Sequence, residues 1–229
     1  MDHVEKNIAA VRTRVAEAAS RSGRTPEDVT IIAVSKFVEL PLIRRAMELG
    51  MDILAENRVQ EMERKRPELP GARWHIIGHL QTNKVKQAVG AAELIHSVDS
   101  LHLLEAINKR AAETNVIQDI LLEINISLEE SKYGLTIEEF RGIIKKLKDY
   151  PSVRLRGIMT MAPNFEDKEL CRPVFRAARE LYIALQSEME GIDILSMGMS
   201  GDFEIAIEEG ATHVRIGSAI FKNSEEMQQ

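Results

Sequence analysis

The feature that most constrains the fold is a change of hydrophobic period that recurs along the chain from Thr30 onward. Short runs of β-branched and apolar residues alternate with longer segments in which apolar residues follow the helical spacing. Several of the short runs are apolar on consecutive positions, which is typical of parallel strands covered by helices. The predicted strands are Thr30 to Ser35, Asp52 to Ala55, Arg73 to Gly78, Leu94 to Val98, Asp119 to Ile126, Val153 to Met159, Ile194 to Gly198 and His213 to Gly217.

Helical patterns fill the segments between these strands and predict an α/β protein. They cover Leu40 to Leu49, Val59 to Arg66, Lys84 to Val89, Leu101 to Glu113, Ile137 to Leu147, Leu170 to Met189 and Phe203 to Glu208. Eight strands with intervening helices predict a (β/α)8 TIM barrel, and a doubly wound open sheet is the alternative.

An extra helix is predicted ahead of the first strand. Apolar residues recur there at spacings of three and four, and Ser22-Gly23 ends the pattern. No linker or low-complexity stretch interrupts the chain, so we expect one domain over residues 1–229.

Composition excludes several classes of protein. The chain has 229 residues, 44% of them apolar, and no apolar stretch approaches the roughly 20 residues of a membrane-spanning helix. The formal charge of −6 gives no general attraction for nucleic acid or anionic membrane, so neither is expected as a partner. The single cysteine, Cys171, cannot form an intrachain disulfide, and the first residues lack the pattern of a secretory signal. We therefore expect a cytoplasmic protein, and we expect it to be a monomer.

Lys36 closes the first predicted strand. In a barrel, functional side chains gather at the carboxyl ends of the strands, where apolar walls disfavour a charged ammonium. A lysine that forms an imine needs a larger neutral fraction than a solvated lysine has. An ordinary solvated lysine at a strand end is the alternative for this segment.

Two small-residue turns follow the seventh and eighth strands. Ser200 and Gly201 precede a predicted helix, where exposed backbone N–H groups form a phosphate cradle. Arg215 lies in the eighth strand, and Gly217 and Ser218 follow as a second turn. The loops after strands seven and eight are the common phosphate position in barrels. A simple helix cap is the alternative for the first turn, and the two turns together favour the phosphate site.

An imine-forming lysine opposite a phosphate cradle suits pyridoxal phosphate, which has an aldehyde at one end and a phosphate at the other. The chain closely resembles the pyridoxal phosphate-binding proteins of vitamin B6 homeostasis, the YggS/PROSC group. The fold of this group is similar to the alanine racemase barrel domain. The resemblance covers essentially the whole chain and rests on ordered motifs. These are Ala33 to Lys36, Glu56 to Glu61, Trp74 to Lys84, Glu130 to Gly134, Gly157 to Thr160, Ser196 to Asp202 and Arg215 to Phe221.

The resemblance implies a role for each candidate site residue. Lys36 is the Schiff-base lysine, and Arg215 lies near the phosphate or the ring nitrogen of the cofactor. Asn57 and Met159 contact the ring region. The residues that hold the phosphate are Ser200, Gly201, Gly217 and Ser218.

Two positions depart from the family pattern. Ala55 stands where glycine is usual, which adds a methyl group close to Asn57, and Ser218 stands where threonine is usual and keeps the hydroxyl.

Two functions follow from this resemblance: a non-catalytic carrier of pyridoxal phosphate, which supplies it to dependent apo-enzymes, or an amino-acid racemase. Racemisation requires a proton acceptor on each face of the substrate α-carbon, and in alanine racemase an additional domain supplies the second acceptor. The tyrosines Tyr133, Tyr150 and Tyr182 fall outside the predicted strand ends. We therefore expect the carrier and assign no catalytic residue.

Two remaining polar features receive structural interpretations. His75 and His79, placed on one face of the third strand, lack a third ligand at suitable spacing, so no metal site is predicted. The polar segment from Ser127 to Gly134 is either a lid over the barrel or a solvated connection.

Overall fold

The computed structural model describes residues 2–127 and 133–223 and forms a closed barrel of eight parallel strands in sequence order. The first strand pairs with the eighth, with Ile32 opposite Arg215, so the sheet has no free edge. This closure confirms the barrel over the open sheet. The strands are β1 (Thr30–Val34), β2 (Ile53–Glu56), β3 (Arg73–Ile76), β4 (Leu94–Val98), β5 (Gln118–Glu123), β6 (Val153–Met159), β7 (Ile194–Met199) and β8 (His213–Ile216).

The predicted helices are present, with ends displaced by at most two residues. They are α1 (His3–Arg21), α2 (Leu40–Glu48), α3 (Val59–Lys65), α4 (Val85–Ala88), α5 (Leu101–Glu113), α6 (Ile137–Lys146), α7 (Arg172–Glu188) and α8 (Phe203–Glu208). One short helix, α9 (Ser218–Phe221), was not predicted, because a single turn carries no periodic signal. Four strands, β1, β3, β5 and β8, end before their predicted last residues, because the chain turns there at the mouth of the barrel.

The extra N-terminal helix packs on the outside of the barrel. The Asp2 side chain caps α1 by accepting a hydrogen bond from the Glu5 N–H at 2.8 Å. The apolar face of α1 is buried against the barrel, and the helix contacts α2, α8 and α9. Arg14 forms a bidentate ion pair with Glu204 of α8, which fixes the helix next to the segment after β7.

Both apolar and polar side chains fill the barrel interior. One apolar cluster contains Ile32, Val34, Ile53 and Ala55, and a second contains Leu94, Leu121, Met159 and Ile194. Between these clusters lie four buried polar side chains, which are His75, His96, Ser196 and Arg215. The polar centre connects the two ends of the barrel, as described below.

The amino-terminal end of the barrel carries a ring of ion pairs. Arg73 pairs with Glu93, and Arg156 pairs with both Asp119 and Asp193. These groups surround a cavity of about 170 Å³, the base cavity, which His75 and His213 also line.

Among the described residues, no helix combines the length and the apolar composition that crossing a membrane requires.

Candidate functional site

A cavity of about 460 Å³ opens at the carboxyl ends of the strands, and we call it the mouth cavity. Seven of the eight predicted site residues line it, and they come from loops that are far apart in the sequence. They are Lys36, Asn57, Ser200, Gly201, Arg215, Gly217 and Ser218. The barrel therefore brings together the amine, the two small-residue turns and the guanidinium.

Lys36 lies in the turn that follows β1, and its side chain is exposed. The next residue, Phe37, has a φ of 61° and is 92% exposed. Lys36 is therefore not enclosed, because β1 ends at Val34 and the chain turns outward into the mouth, although Val34, Ile77 and Met161 line the cavity with it. The Lys36 amine is accessible to a ligand that enters the mouth cavity.

A buried ion pair supports the turn beneath Lys36. Lys65 donates to Glu56 Oε1 and to the Ser35 carbonyl oxygen, each at 2.7 Å, and the Ser35 hydroxyl donates to the same Oε1 at 2.8 Å. The Lys65 and Glu56 side chains are each only 1% exposed. These contacts fix the end of β1, β2 and α3 to one another next to Lys36.

The turns after β7 and β8 are joined by one side chain. The Ser200 hydroxyl oxygen accepts hydrogen bonds from the Gly217 N–H at 3.2 Å and the Ala219 N–H at 3.3 Å. Gly198 has a φ of 93°, and a Cβ there would lie 2.6 Å from the Ala206 Cβ, so glycine lets the turn pack closely on α8. The two turns form one wall of the mouth cavity.

The helix after this turn begins at Phe203, as predicted, and Asp202 is the preceding cap residue. The Asp202 carboxylate accepts from the Met199 N–H at 2.6 Å, which closes the turn that contains Ser200 and Gly201. These two residues therefore belong to a tight turn, which forms because Asp202 bonds back to the strand and not forward into α8.

Arg215 forms the floor of the mouth cavity and is only 3% exposed. Its guanidinium donates to Ser196 Oγ at 2.7 Å and to the Thr160 carbonyl oxygen at 3.0 Å. Burial lowers the pKa of Arg215 to about 10, while Glu123 and Asp202 oppose this shift. The group remains a cation at neutral pH and supplies positive charge beneath the cavity.

Met159 does not line the mouth cavity. It is fully buried in the barrel interior with Leu94, Leu121 and Ile194, one layer below the mouth. Because side chains alternate along a strand, Met161, two residues further on, lies on the same face and reaches the cavity in its place. The structure therefore places Met161, and not Met159, at the mouth cavity, which does not favour the predicted ring contact at Met159.

The Ala55 methyl group does not displace Asn57. Ala55 is buried in the barrel interior with Val34 and Ile53, whereas Asn57 lies in the loop after β2 and lines the mouth. The backbone of Asn57 also packs closely on Gly78, where a Cβ would lie 2.5 Å from the Asn57 carbonyl oxygen. A side chain at position 78 would therefore displace Asn57.

Sequence reasoning missed Glu123, which ends β5 and lines the mouth cavity. It is 3% exposed, and burial together with the nearby charge of Asp99 raises its pKa to about 7. A carboxyl group that exchanges its proton near neutral pH therefore faces the same cavity as Lys36. The sequence signal that could have identified Glu123 is an acidic residue in the last position of the strand, directly after apolar residues.

Tyr133 also lines the mouth cavity, so the argument that kept all tyrosines away from the site is wrong for this residue. Its ring stacks on His79 with a centroid separation of 4.2 Å, and His79 Nδ1 lies 2.7 Å from Asp99 Oδ2. Because β3 ends at Ile76, His79 lies in the mouth while His75 lies in the barrel interior. The two histidines therefore do not share one strand face.

The segment predicted as a lid or a connection, Ser127 to Gly134, lies mostly outside the described residues, since positions 128–132 are not among them.

The chain is similar to known proteins over nearly its whole length. The family model for the alanine racemase N-terminal domain matches residues 3–225. The pyridoxal phosphate homeostasis protein of Aquifex aeolicus (strain VF5) is 42% identical over 219 residues, which cover 94% of this chain and 96% of that protein. The chain belongs to the pyridoxal phosphate homeostasis protein family.

Solved structures agree with membership in this family. PipY of Synechococcus elongatus PCC7942, with pyridoxal phosphate bound, has a TM-score of 0.79 and 35% identity, and the match covers 90% of this chain and 99% of PipY. The alanine racemase of Clostridium difficile 630 has a TM-score of 0.78 at 16% identity, which shows a common fold only, over 97% of this chain and 60% of the racemase. The family match contains every loop that lines the mouth cavity.

Proposed function

We propose that the protein binds pyridoxal phosphate in the mouth cavity through Lys36 and acts in the homeostasis of this cofactor. When bound, pyridoxal phosphate supplies an aldehyde that condenses reversibly with a primary amine, and a phosphate dianion. The proposal is supported by the names of the full-length relatives and by the PipY structure with the cofactor bound.

The groups that line the cavity fit this ligand. Its volume of about 460 Å³ lies in the usual range for small-molecule sites. Lys36 offers the amine, and Arg215 offers a buried cation that attracts an anion. Gly217 lets the turn after β8 approach β1 beside Lys36, because a Cβ there would lie only 3.1 Å from the Val34 carbonyl oxygen.

The observation that carries the proposal is the placement of Lys36 beside the joined turns, in one cavity with them. Ser200, Gly201, Gly217 and Ser218 would hold the phosphate, and Asn57 and Met161 would contact the ring. The Ser200 hydroxyl links both turns without a ligand. The wall of the cavity that would hold the phosphate is therefore formed before the ligand binds.

Lys36→Ala is expected to abolish covalent retention of the cofactor. Protein incubated with pyridoxal phosphate and then reduced with borohydride should carry the cofactor on Lys36, as peptide mass mapping would determine. Lys86→Ala, on the exposed surface of α4, is the matched control and should retain full labelling. Undiminished labelling and an unchanged absorbance spectrum in Lys36→Ala would contradict the proposal.

Ser200→Ala is expected to weaken binding of pyridoxal phosphate by roughly 10- to 150-fold, which corresponds to about 1.5–3 kcal/mol for a hydrogen bond to a charged group. Pyridoxal, which lacks the phosphate, is the matched ligand, and its affinity should change little. Isothermal titration with both ligands measures the difference. An equal loss for the two ligands would mean that Ser200 acts on the fold of the turns and not on the phosphate.

We further propose that the protein holds the cofactor without turning over a substrate. The relatives that align over nearly their whole length are named homeostasis proteins, which supports a carrier. Racemisation is the second candidate, and the observation that favours it is the presence of Tyr133 and Glu123 in the same cavity as Lys36. A chiral assay of all amino acids with saturating cofactor decides between them, since racemisation that disappears in Tyr133→Phe would establish the enzyme.

The remaining parts of the proposal concern the setting of the protein. We propose a cytoplasmic monomer that supplies pyridoxal phosphate to dependent apo-enzymes, without nucleic acid or membrane as partners. The net charge of −6 and the single buried cysteine, which forms no intrachain disulfide, support this setting.

A further inference from the structure

A chain of four buried polar side chains runs through the barrel from the mouth toward the base. Arg215 Nη1 lies 2.7 Å from Ser196 Oγ, Ser196 Oγ lies 3.0 Å from His96 Nδ1, and His96 Nε2 lies 3.0 Å from His75 Nδ1. All four residues are at most 3% exposed. One end of the chain is the floor of the mouth cavity, and the other end lines the base cavity.

Arg215 determines the direction of every hydrogen bond in this chain. A guanidinium only donates, so Ser196 Oγ accepts from it. Among the described residues, the only other partner of the Ser196 hydroxyl is His96 Nδ1, so the hydroxyl proton is donated to that nitrogen. His96 then carries its proton on Nε2 and donates it to His75 Nδ1.

The last proton therefore lies on His75 Nε2. This nitrogen is buried and has no hydrogen-bond partner among the described residues. Because His75 Nδ1 faces His96, Nε2 lies on the other side of the ring. His75 also lines the base cavity, and its Nε2 atom is buried.

Both imidazoles are neutral in this arrangement, as the single proton on each ring requires. Burial lowers the pKa of His75 to about 3 and the pKa of His96 well below its usual value. The charged and titratable groups that act on them are Arg73, Glu93, His213 and Arg215.

We propose that Ser196, His96 and His75 are positioning residues that hold Arg215 under the mouth cavity through a one-way hydrogen-bond chain, in which every donor and acceptor is assigned from Arg215 to His75. The expected effect on cofactor binding rests on the proposed function, whereas the hydrogen-bond chain itself does not.

The direction of the chain is tested on the ligand-free protein by ¹⁵N NMR of the histidine side chains. We expect His75 and His96 as neutral Nε2–H tautomers throughout the range from about pH 8 to about pH 5.5. An Nδ1–H tautomer at either residue, or protonation of either near the usual histidine pKa, would overturn the proposal. This measurement needs neither a variant nor the cofactor.

The positioning role is tested by replacing Ser196. Ser196→Ala should weaken binding of pyridoxal phosphate by about tenfold, as expected for loss of a hydrogen bond to a charged group, and should shift the pH at which the bound cofactor changes its absorbance. Ser196→Thr keeps the hydroxyl and should restore both properties. The matched control is Ser97→Ala, since Ser97 is equally buried and donates to the Gly78 carbonyl oxygen outside the chain.

The two tests separate this inference from the proposed function. If Lys36→Ala leaves cofactor binding unchanged while both tautomers are as expected, the proposed function fails. The inferred hydrogen-bond chain is then still supported. If Ser196→Ala and Ser97→Ala change binding and the absorbance profile equally, the positioning role fails while the proposed function remains. Should Ser196→Ala not fold, the tautomers of the unmodified protein still decide the direction of the chain.

Discussion

Lys65→Met is expected to destabilise the protein by about 3–5 kcal/mol, because it leaves the buried Glu56 carboxylate without its cation. Both side chains are 1% exposed, and Lys65 also donates to the Ser35 carbonyl oxygen directly before Lys36. The loss should therefore appear in stability and in cofactor affinity together. Urea unfolding and a titration with pyridoxal phosphate measure the two effects.

A matched control for this variant lies one residue away. Arg64 pairs with Glu61 on the exposed side of α3, so Arg64→Met should change stability little. The double variant Lys65→Met with Glu56→Gln should recover part of the loss, because it removes the unpaired charge. Equal stability losses in Lys65→Met and Arg64→Met would mean that the buried pair does not support the turn beneath Lys36.

The second large effect is a loss of stability in mild acid. Three imidazoles are neutral, of which His75 and His96 are buried and His213 is partly buried: the pKa of His75 is lowered to about 3, that of His213 to about 4 and that of His96 well below its usual value, mainly by desolvation. Unfolding lets each of them take a proton below about pH 6.5. The stabilisation is thus present above that pH and is lost as the pH falls toward the folded pKa values.

Between pH 7.5 and pH 5 each such histidine should contribute about 2 kcal/mol to this loss. Glu123 acts in the opposite direction, because its pKa is raised to about 7, and its protonation in the folded state offsets about 2 kcal/mol over the same range. The expected net loss is therefore about 4 kcal/mol, measured by urea unfolding at the two pH values.

His213→Asn tests the origin of this acid sensitivity. The residue lines the base cavity outside the hydrogen-bond chain, so its replacement should reduce the pH-dependent loss by about 2 kcal/mol. His102→Asn, at an exposed position on α5, should leave the loss unchanged. An undiminished pH dependence in His213→Asn would contradict the assignment of a partly buried, neutral imidazole at this position.

Comparison of the predicted and observed strands shows which sequence signals are reliable. Every predicted strand is present because consecutive apolar residues in a short run have few alternatives to a strand covered by helices. The predicted strand ends were less accurate, because Ser35, Ile77 and Gly78 lie outside the observed strands. Their backbone position depends on loops that pack at the mouth, and this packing involves residues distant in the sequence.

The same distinction applies to the candidate site. Ser200 and Gly217 were predicted because small residues after late barrel strands carry a local signal. Glu123 and Tyr133 were not predicted to line the site, since only the curvature of the closed sheet brings β5 and the segment after it to face Lys36. Met159 was misplaced by one layer, because the depth of a strand residue depends on the register and tilt of the whole barrel.

The sequence by itself determined the eight βα units, the extra helix, and the lysine and small-residue turns, because hydrophobic period and residue type are local properties of the chain. Only the tertiary structure determined that Lys65 supports the turn before Lys36 and that Arg215, Ser196, His96 and His75 form one chain. These contacts join residues from different strands and helices. Their hydrogen-bond directions follow from donors and acceptors that meet only when the barrel closes.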